Sequence, residues 1–175
     1  MKPQIGTWLT LPDISIAEIV ADTNLDWICI DIEHSTITFD QVKSLIIAIQ
    51  GKNKFVYVRV SNNDRTVIKR ILDAGANGII VPMVNTVKEA EEAINSVKYP
   101  PIGKRGVGLA RAQDYGFGFE NYRDNIANNI KLIVQIEHYI GIDNLEEIIK
   151  LDGIDGTFIG PYDLSGSLGK PGDYD

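Results

Sequence analysis

Two carboxylates of this 175-residue chain follow apolar segments, at positions where they could bind a metal ion. Glu137 ends the apolar run 130–137, and Asp163 stands in the Gly-Pro turn after the run 156–159. Carboxylate oxygens and water form a hard site that suits Mg²⁺ or Mn²⁺ and leaves positions open for substrate oxygens. Zinc is disfavoured, because no cluster of histidine and cysteine exists. We therefore predict that Glu137 and Asp163 hold one divalent metal ion.

Three further side chains have the chemistry that a metal-bound substrate needs. Asp31 and His34 follow the apolar run 27–30, and Arg59 lies near the end of the run 55–60. An arginine beside a metal ion stabilises an oxyanion as negative charge develops. A neutral histidine acts as a base, directly or through water, and a neighbouring aspartate can orient its ring. We expect Arg59 to take the first role, and His34, oriented by Asp31, to take the second.

Each of these residues also has a purely structural interpretation, which the sequence leaves open. Glu137 and Asp163 can be separate helix caps or ion-pair partners. Arg59 can be a structural counter-ion of Asp31 or of Glu137. A lone histidine at a strand end, such as His34, is more often a hydrogen-bonded surface or core residue than a base.

Neighbouring polar residues are assigned by the alternation of side chains along a strand. Gln135 and Glu137 lie two apart on one predicted strand, so both side chains point to the same side. Gln135 then either supports a metal ligand or only satisfies backbone groups. Glu33 is expected to point away from Asp31 and to be structural, and residues 82–83 are expected to shape the wall of the site.

Strands and helices that must position these residues alternate along the chain. Apolar runs bounded by glycine and proline predict strands over 5–10, 27–30, 55–60, 78–82, 130–137 and 156–159. Capping residues and apolar periodicity predict helices over 14–21, from Thr38 or Asp40 to Gly51, from Asn63 or Asp64 to Gly75, over 86–97, near 122–128, and over 141–150. Residues 98–120 break this rhythm, and loops this long are usually functional or mobile.

The repeated βα order demands an α/β fold with a parallel sheet, for which two architectures compete. A doubly wound sheet would be complete at six strands, whereas a (β/α)8 TIM barrel needs eight. We favour the barrel, because charged or polar residues follow nearly every strand and no dinucleotide fingerprint follows the first. Residues 1–175 then form a single, incomplete barrel domain, with roughly the first six βα units present and the C-terminal part missing.

The composition excludes several classes of function. The net charge is -7, and lysine and arginine form no patch, which argues against nucleic-acid binding. No apolar run approaches the roughly 18 to 20 residues of a membrane span. The N-terminus lacks a signal-peptide core, and the single Cys29 has apolar neighbours that suit a buried thiol in a reducing compartment. We expect a cytoplasmic protein that binds neither membranes nor nucleic acid.

Several short segments, each weak alone, are highly specific in their order along the chain. They are Gly6-Thr7-Trp8, Asp31-Ile32-Glu33-His34, Val58-Arg59-Val60, Val81-Pro82-Met83-Val84, Tyr99-Pro100-Pro101, Arg105-Gly106-Val107-Gly108, Gln135-Ile136-Glu137 and Phe158-Ile159-Gly160-Pro161-Tyr162-Asp163-Leu164-Ser165. With these segments the chain resembles the HpcH/HpaI aldolases, the class II, metal-dependent pyruvate aldolases that include sugar-acid aldolases. The resemblance covers essentially all 175 residues.

The resemblance implies a (β/α)8 barrel that assembles as a homo-trimer or hexamer and exchanges its last helix between neighbours. It implies that Glu137 and Asp163 bind the divalent cation, which is Mg²⁺ or Mn²⁺, with Co²⁺ as a further candidate. Pyruvate, or its enolate, would chelate this ion through its keto oxygen and its carboxylate. Backbone N–H groups around Tyr162 and Asp163 would receive the substrate carboxylate.

The resemblance also implies roles for the remaining site residues. Arg59 would bind the keto oxygen of the substrate and steady the enolate. His34, with Asp31, would move protons through a metal-bound water, and Gln135 would support the metal shell. Residues 98–120 would lie at the mouth of the barrel and help to recognise the aldehyde.

The implied activity is that of a metal-dependent carbon–carbon lyase. It would cleave a 4-hydroxy-2-oxo acid reversibly to pyruvate and an aldehyde, through a metal-stabilised pyruvate enolate. Two alternatives stay open: a lyase of the same superfamily that acts on a CoA thioester or decarboxylates oxaloacetate, similar to the citrate-lyase β branch, and a non-catalytic metabolite-binding subunit.

Overall fold

The computed structural model describes residues 2–173, so residues 1, 174 and 175 of the predicted domain lie outside the description. The chain forms one parallel sheet against which the helices pack. The strands are β1 Gly6–Leu9, β2 Trp27–Asp31, β3 Phe55–Arg59, β4 Gly78–Val81, β5 Lys131–Ile136 and β6 Gly156–Ile159. The helices are α1 Ile14–Ala21, α2 Phe39–Gln50, α3 Arg65–Ala74, α4 Val87–Val97, α5 Phe119–Asn121, α6 Tyr139–Asp143, α7 Leu145–Ile148 and α8 Pro161–Ser167.

The first helices begin and end at residues that the sequence predicts. At the start of α1, the Asp13 carboxylate accepts a hydrogen bond from a backbone N–H of the first turn at 3.0 Å. Of the two candidates for α3, Asp64 and not Asn63 is the cap, since its carboxylate accepts two such bonds at 2.7 and 2.9 Å. This helix ends at Gly75, whose φ of 108° lies in the left-handed region that favours glycine.

The strand order decides between the two predicted architectures. The order is β1-β2-β3-β4-β5-β6, and every neighbouring pair is parallel. A doubly wound sheet reverses its order at an internal strand, whereas a barrel adds strands in sequence. The sheet also curls, as the short distance of 5.4 Å between the ring centroids of Trp8 on β1 and Phe158 on β6 shows. This confirms the barrel prediction, in the form of the first six βα units.

Alternation along the strands separates the hydrophobic core from the inner face of the curled sheet. The core consists of fully buried aliphatic side chains from strands and helices, among them Ile28, Ile30, Val56, Val58, Ile79, Val81, Leu132, Val134, Leu45, Ile49, Ile68 and Leu72. Full burial of one such side chain stabilises the fold by about 1.5–3 kcal/mol. The alternate positions carry aromatic and charged residues such as Trp27, Tyr57 and Arg59. Between residues 2 and 173, no helix has the length and apolar character that a membrane crossing requires.

Two segments after β5 differ from the prediction. The helix expected over 141–150 is divided into α6 and α7, which meet at Asn144. The Asn144 side-chain amide donates to the carbonyl of Ile140 at 2.9 Å, and a side chain that bonds backbone nearby in sequence competes with a continuous helix. The turn expected after Gly160 is the start of α8, with Pro161 at its first position, where a fixed φ suits a helix.

Residues 98–130 connect α4 to β5 and include α5, a π-helical turn Tyr122–Ile126 and a 3-10 turn Ala127–Asn129. In a sheet built from βα units, every connection from a helix into a strand lies at the N-terminal edge. Arg59 and Glu137 stand at the opposite, C-terminal edge. The expectation that residues 98–120 lie at the mouth of this chain's own barrel is therefore wrong.

A buried arginine fastens residues 98–130 to helix α3. Arg105 is 1% exposed, and its Nη2 donates to Asp73 Oδ1 at 2.8 Å while its Nη1 donates to the Tyr122 hydroxyl at 2.9 Å. The guanidinium carbon lies 4.7 Å from the centre of the Tyr99 ring. Gln113 donates to the Tyr99 hydroxyl at 3.2 Å. These contacts make the long segment part of the packed structure.

We expect Arg105→Met to lower the free energy of unfolding by about 3 kcal/mol, because it leaves Asp73 and Tyr122 without their buried partner. Urea denaturation followed by circular dichroism measures this loss. The control is Arg123→Met, which removes an exposed arginine of the same segment and should leave the midpoint unchanged. Equal midpoints for the two variants would contradict an anchoring role for Arg105.

Candidate active site

Arg59, the last residue of β3, is fixed by two neighbouring strands. It lies beside Asp31 in the β2–β3 register, and its Nε and Nη2 donate to Asp31 Oδ1 and Oδ2 at 2.9 and 2.6 Å. The guanidinium carbon lies 4.6 Å from the centre of the Trp8 ring on β1. A bidentate ion pair and a stacked ring together fix the plane of the guanidinium. Asp31 occupies one edge of this planar group and does not use the edge that carries Nη1.

Asp31 is the ionised counter-ion of this pair. Its side chain is 3% exposed, and Oδ1 also accepts hydrogen bonds from the backbone N–H groups of Glu33 at 3.0 Å and His34 at 3.3 Å. Burial by itself would raise the pKa of Asp31, but the hydrogen bonds and charge of Arg59 lower it below its usual value. Orientation of the His34 ring by Asp31 stays a prediction, since Asp31 contacts His34 through the main chain.

Glu33 belongs to this group, and the expectation that it points away from Asp31 is wrong. The chain bends directly after β2, where Asp31 Oδ1 accepts the N–H groups of Glu33 and His34, and Glu33 is thereby not governed by strand alternation. Glu33 Oε2 lies 3.2 Å from Arg59 Nε and 3.6 Å from His34 Nε2. Burial raises the pKa of Glu33, and the charges of Arg59 and His34 oppose that rise. The two carboxylates beside Arg59 therefore have opposite pKa shifts.

His34 is the exposed member of the group. Its side chain is 63% exposed, against 12% for Arg59 and 16% for Glu33. The residue follows β2 directly, so its ring stands at the C-terminal edge of the sheet. An imidazole in this place can reach a molecule bound at Arg59 without displacing packed side chains.

Glu137 follows β5 and has a different environment from Asp31. The residue is 2% exposed, its Oε1 accepts a hydrogen bond from the backbone N–H of Met83 at 2.8 Å, and its Oε2 accepts one from Gln135 Nε2. Both donors are neutral. Within residues 2–173, no lysine, arginine or histidine forms an ion pair with this carboxylate.

Gln135 and Gly160 complete the surroundings of the Glu137 carboxylate. Gln135 is 2% exposed, and its Oε1 is buried and has no hydrogen-bond partner in the described chain. Gly160, the residue after β6, lies so close to Glu137 that an added Cβ would be 2.6 Å from Glu137 Oε2. Glycine is required here because any side chain would push the carboxylate aside.

Asp163 and Tyr162 lie in the first turn of α8, directly after β6. The N–H of Gly160, the residue that caps this helix, donates to the carbonyl of Ile136 at 3.1 Å and holds the helix start beside the end of β5. Both Asp163 and Tyr162 are exposed. The two predicted metal ligands thus follow neighbouring strands, and Asp163 stands one helical turn after the glycine that touches Glu137.

The residues present fit a divalent cation with oxygen ligands. A buried carboxylate without an opposite charge is costly by several kcal/mol, and a bound cation offsets that cost. The unpaired Gln135 oxygen adds a second acceptor next to Glu137. Residues 2–173 contain no group of three or more His, Cys, Asp or Glu placed to hold a metal. Binding by Glu137 and Asp163 together therefore stays a prediction, in which water and substrate would supply the further ligands.

The group around Arg59 and the group around Glu137 act on each other electrostatically. After burial, the charge of Glu137 is among the factors that raise the pKa of Glu33. A cavity of about 300 Å³ adjoins both groups through two of its lining residues, Glu33 of the first group and Met83, which contacts Glu137, of the second.

Met83 contributes to the site through its backbone N–H. From the sequence, residues 82–83 were expected only to shape the wall of the site. Its φ of 53° lies in the left-handed region, which is uncommon for a residue with a side chain. This conformation directs the Met83 N–H to Glu137 Oε1. Strained residues of this kind cluster at functional sites, but no sequence pattern marks a positive φ at methionine.

We expect Gly160→Ala to weaken binding of Mn²⁺ at least about tenfold, because the new Cβ displaces the Glu137 carboxylate. Isothermal titration of the purified protein with Mn²⁺ measures the affinity. Gly166→Ala, in the same helix but with the added Cβ at an ordinary contact distance of 3.9 Å from Pro171 Cβ, is the matched control and should bind as wild type does. Unchanged affinity in Gly160→Ala would rule out Glu137 as a metal ligand.

Known proteins resemble this chain over nearly its whole length. It is 42% identical over 174 residues to the 2-keto-3-deoxy-L-rhamnonate aldolase of Klebsiella pneumoniae. It is 40% identical over 168 residues to the hydroxypyruvate/pyruvate aldolase of Roseobacter denitrificans. The crystal structure of an HpcH/HpaI aldolase/citrate lyase family protein from Burkholderia cenocepacia J2315 matches 98% of this chain and 69% of its own, with a TM-score of 0.93 at 36% identity.

The chain spans slightly less than two thirds of the two enzymes it matches. The alignments cover 98% and 95% of this chain, but 65% and 66% of those proteins. The sequence profile described as HpcH/HpaI aldolase/citrate lyase matches residues 4–175, which include all the candidate site residues. The chain therefore belongs to the HpcH/HpaI aldolase/citrate lyase family.

Proposed function

We propose that this protein is a class II pyruvate aldolase, a lyase that splits a 4-hydroxy-2-oxo acid reversibly into pyruvate and an aldehyde. The observation that carries the proposal is the buried Glu137 carboxylate, which has no cationic partner within residues 2–173 and lies near the fixed Arg59–Asp31 pair. The names of two relatives, aldolases of a keto-deoxy sugar acid and of hydroxypyruvate and pyruvate, support the same reaction.

Glu137 and Asp163 would hold a divalent cation, Mg²⁺, Mn²⁺ or Co²⁺. When bound, the cation would withdraw electron density from the 2-oxo group and so make the neighbouring carbon–carbon bond easier to break. Gln135 and the Met83 N–H already hold the two Glu137 oxygens. This preorganisation means that little reorganisation is needed when the cation binds.

Arg59 would stabilise the negative charge that develops on the 2-oxo oxygen. Because Asp31 occupies Nε and Nη2, the edge that carries Nη1 would meet that oxygen. A donor whose plane is fixed beforehand by Asp31 and Trp8 stabilises developing charge without a reorganisation cost.

His34 would take the proton from the 4-hydroxyl group as the carbon–carbon bond breaks. The electrons of the O–H bond then form the aldehyde carbonyl, and those of the broken bond pass to the pyruvate fragment. In the last step the imidazolium returns the proton to the methyl carbon of pyruvate. The exposure of His34 supports this role, because the ring can reach both positions.

The remaining parts of the proposal concern the substrate carboxylate and the assembly. Backbone N–H groups of Tyr162 and Asp163 would receive the carboxylate, which their place in the first turn of α8 supports. The protein would assemble as a homo-trimer or hexamer in the cytoplasm.

A second reaction within the family would act on a CoA thioester or on oxaloacetate, since the family's description includes citrate lyases. The cavity beside Glu33 disfavours a CoA phosphate, because three glutamates and no lysine or arginine are among the described residues that line it. Decarboxylation of oxaloacetate without pyruvate release from a hydroxy-oxo acid would favour this second reaction.

We expect EDTA to abolish pyruvate release from a 4-hydroxy-2-oxo acid by the complete protein, because the metal site is part of the reacting centre. A coupled lactate dehydrogenase assay follows pyruvate, and added Mg²⁺, Mn²⁺ or Co²⁺ should restore the rate. Activity that survives EDTA would disprove the metal-dependent mechanism. Tight pyruvate binding without turnover in every metal would identify a non-catalytic binding protein instead.

We expect Arg59→Lys to lower kcat by about 10²–10³ while the protein stays folded. Lysine keeps the charge that Asp31 needs, but it lacks the planar edge that meets the 2-oxo oxygen. Steady-state kinetics and a thermal melt of the same sample check both parts. A kcat within threefold of wild type would remove Arg59 from the proposed mechanism, and Lys69→Arg, on the outer helix α3, is the control.

A further inference from the structure

We propose that Glu33 is a positioning residue that ties the His34 ring to Arg59 and fixes its tautomer for proton transfer. The inference rests on the proposed aldolase function. It gives a role to Glu33, to which the proposed mechanism assigns none.

The Glu33 carboxylate lies between the two side chains that would do the chemistry. Its Oε2 is 3.2 Å from Arg59 Nε on one side and 3.6 Å from His34 Nε2 on the other. Arg59 is fixed by Asp31, and the Glu33 side chain is only 16% exposed, so the exposed His34 ring is the member that can move. A single oxygen of the Glu33 carboxylate therefore lies next to both the exposed His34 ring and the fixed Arg59 guanidinium.

That oxygen has no hydrogen-bond partner within residues 2–173, although it is buried. The Arg59 Nε hydrogen, the nearest candidate, is already donated to Asp31 Oδ1 at 2.9 Å. Buried polar atoms in native proteins nearly always have a partner, so this one calls for a donor. His34 Nε2–H fits, because closing 3.6 Å to a charge-assisted hydrogen bond of about 2.8 Å takes a shift of only about 0.8 Å.

The charges around Glu33 assign different tasks to the two carboxylates beside Arg59. The charged and titratable groups that act on Glu33 are Arg59, His34, Glu137 and Asp31. Asp31, with a lowered pKa, is the permanent counter-ion of Arg59, whereas burial raises the pKa of Glu33. Pairs of carboxylates with opposite shifts commonly divide their roles in this way. Glu33 keeps its ion pair with Arg59 and can still accept a hydrogen bond from His34.

The resulting arrangement gives the two ring nitrogens separate tasks. With Nε2–H donated to Glu33 Oε2, Nδ1 is the free base and takes the proton from the substrate hydroxyl. The O–H bond breaks and an Nδ1–H bond forms, while the proton on Nε2 stays in place. Glu33 stabilises the imidazolium as an orienting carboxylate does in a catalytic triad. The same Nδ1 proton later returns to carbon, so the ring ends neutral.

The test compares Glu33→Gln and Glu33→Asp with Glu91→Gln in the complete protein. Glu91 is an exposed glutamate of α4 outside the site, so its variant should behave as wild type does. We expect Glu33→Gln to lower kcat by about 10- to 100-fold, with KM for the oxo acid changed less than about threefold. The acid limb of the kcat/KM profile should move to lower pH, because the imidazolium loses a neighbouring negative charge. Glu33→Asp should recover part of kcat.

A second readout is independent of turnover. The chain has two histidines, so a His138→Gln background leaves the His34 ring as the single histidine signal in a proton NMR titration. In that background, Glu33→Gln should move the His34 titration midpoint to lower pH, and Glu91→Gln should not. An equal midpoint in both variants would overturn the inference, even if the protein released no pyruvate. A kcat loss with no change in the pH profile would reduce Glu33 to a structural residue, whereas an inactive wild type would overturn only the aldolase proposal.

Discussion

The buried ion pair between Arg59 and Asp31 is the interaction on which the rest of the candidate site depends. It joins the ends of β2 and β3, and its carboxylate also accepts the N–H groups of Glu33 and His34. The loop after β2 is therefore shaped by the same carboxylate that fixes the arginine. Removing one partner of such a pair costs about 3–5 kcal/mol, so the geometry of the chemistry and the stability of the sheet are coupled.

The buried Glu137 carboxylate differs from Asp31 in the groups that surround it. Asp31 is neutralised by an arginine of the neighbouring strand, whereas Glu137 receives only neutral donors within the described chain. A fold that places these two carboxylates on neighbouring parts of one face leaves a single uncompensated negative charge there. This difference is the reason why we propose a cation at Glu137 and a fixed support for Arg59 at Asp31.

Much of this arrangement was predictable, because local rules determine it. Apolar runs and caps predicted six strands and the first four helices, with Asp13 and Thr86 at the expected starts. Placing Arg59 and Glu137 at strand ends followed from the βα order alone. The position of residues 98–120 was also available from the sequence, since chain order decides it, but it was assigned wrongly. The position of Glu33 was assigned wrongly too, because the chain bends after β2 and strand alternation no longer applies. The left-handed Met83 and the close approach of Gly160 to Glu137 had no local signal.

The sequence by itself determined the parallel α/β class, the family and the set of ionisable residues at the strand ends. These follow from side-chain period and from residue types in order, which are properties of the chain. Only the tertiary structure decided that the strands run in sequential order and curl until Trp8 meets Phe158. It alone decided that Asp31 is paired, that Glu137 is not, and that Glu33 lies between Arg59 and His34. Charge compensation depends on distances between residues far apart in the chain, and those distances exist only once the sheet has formed.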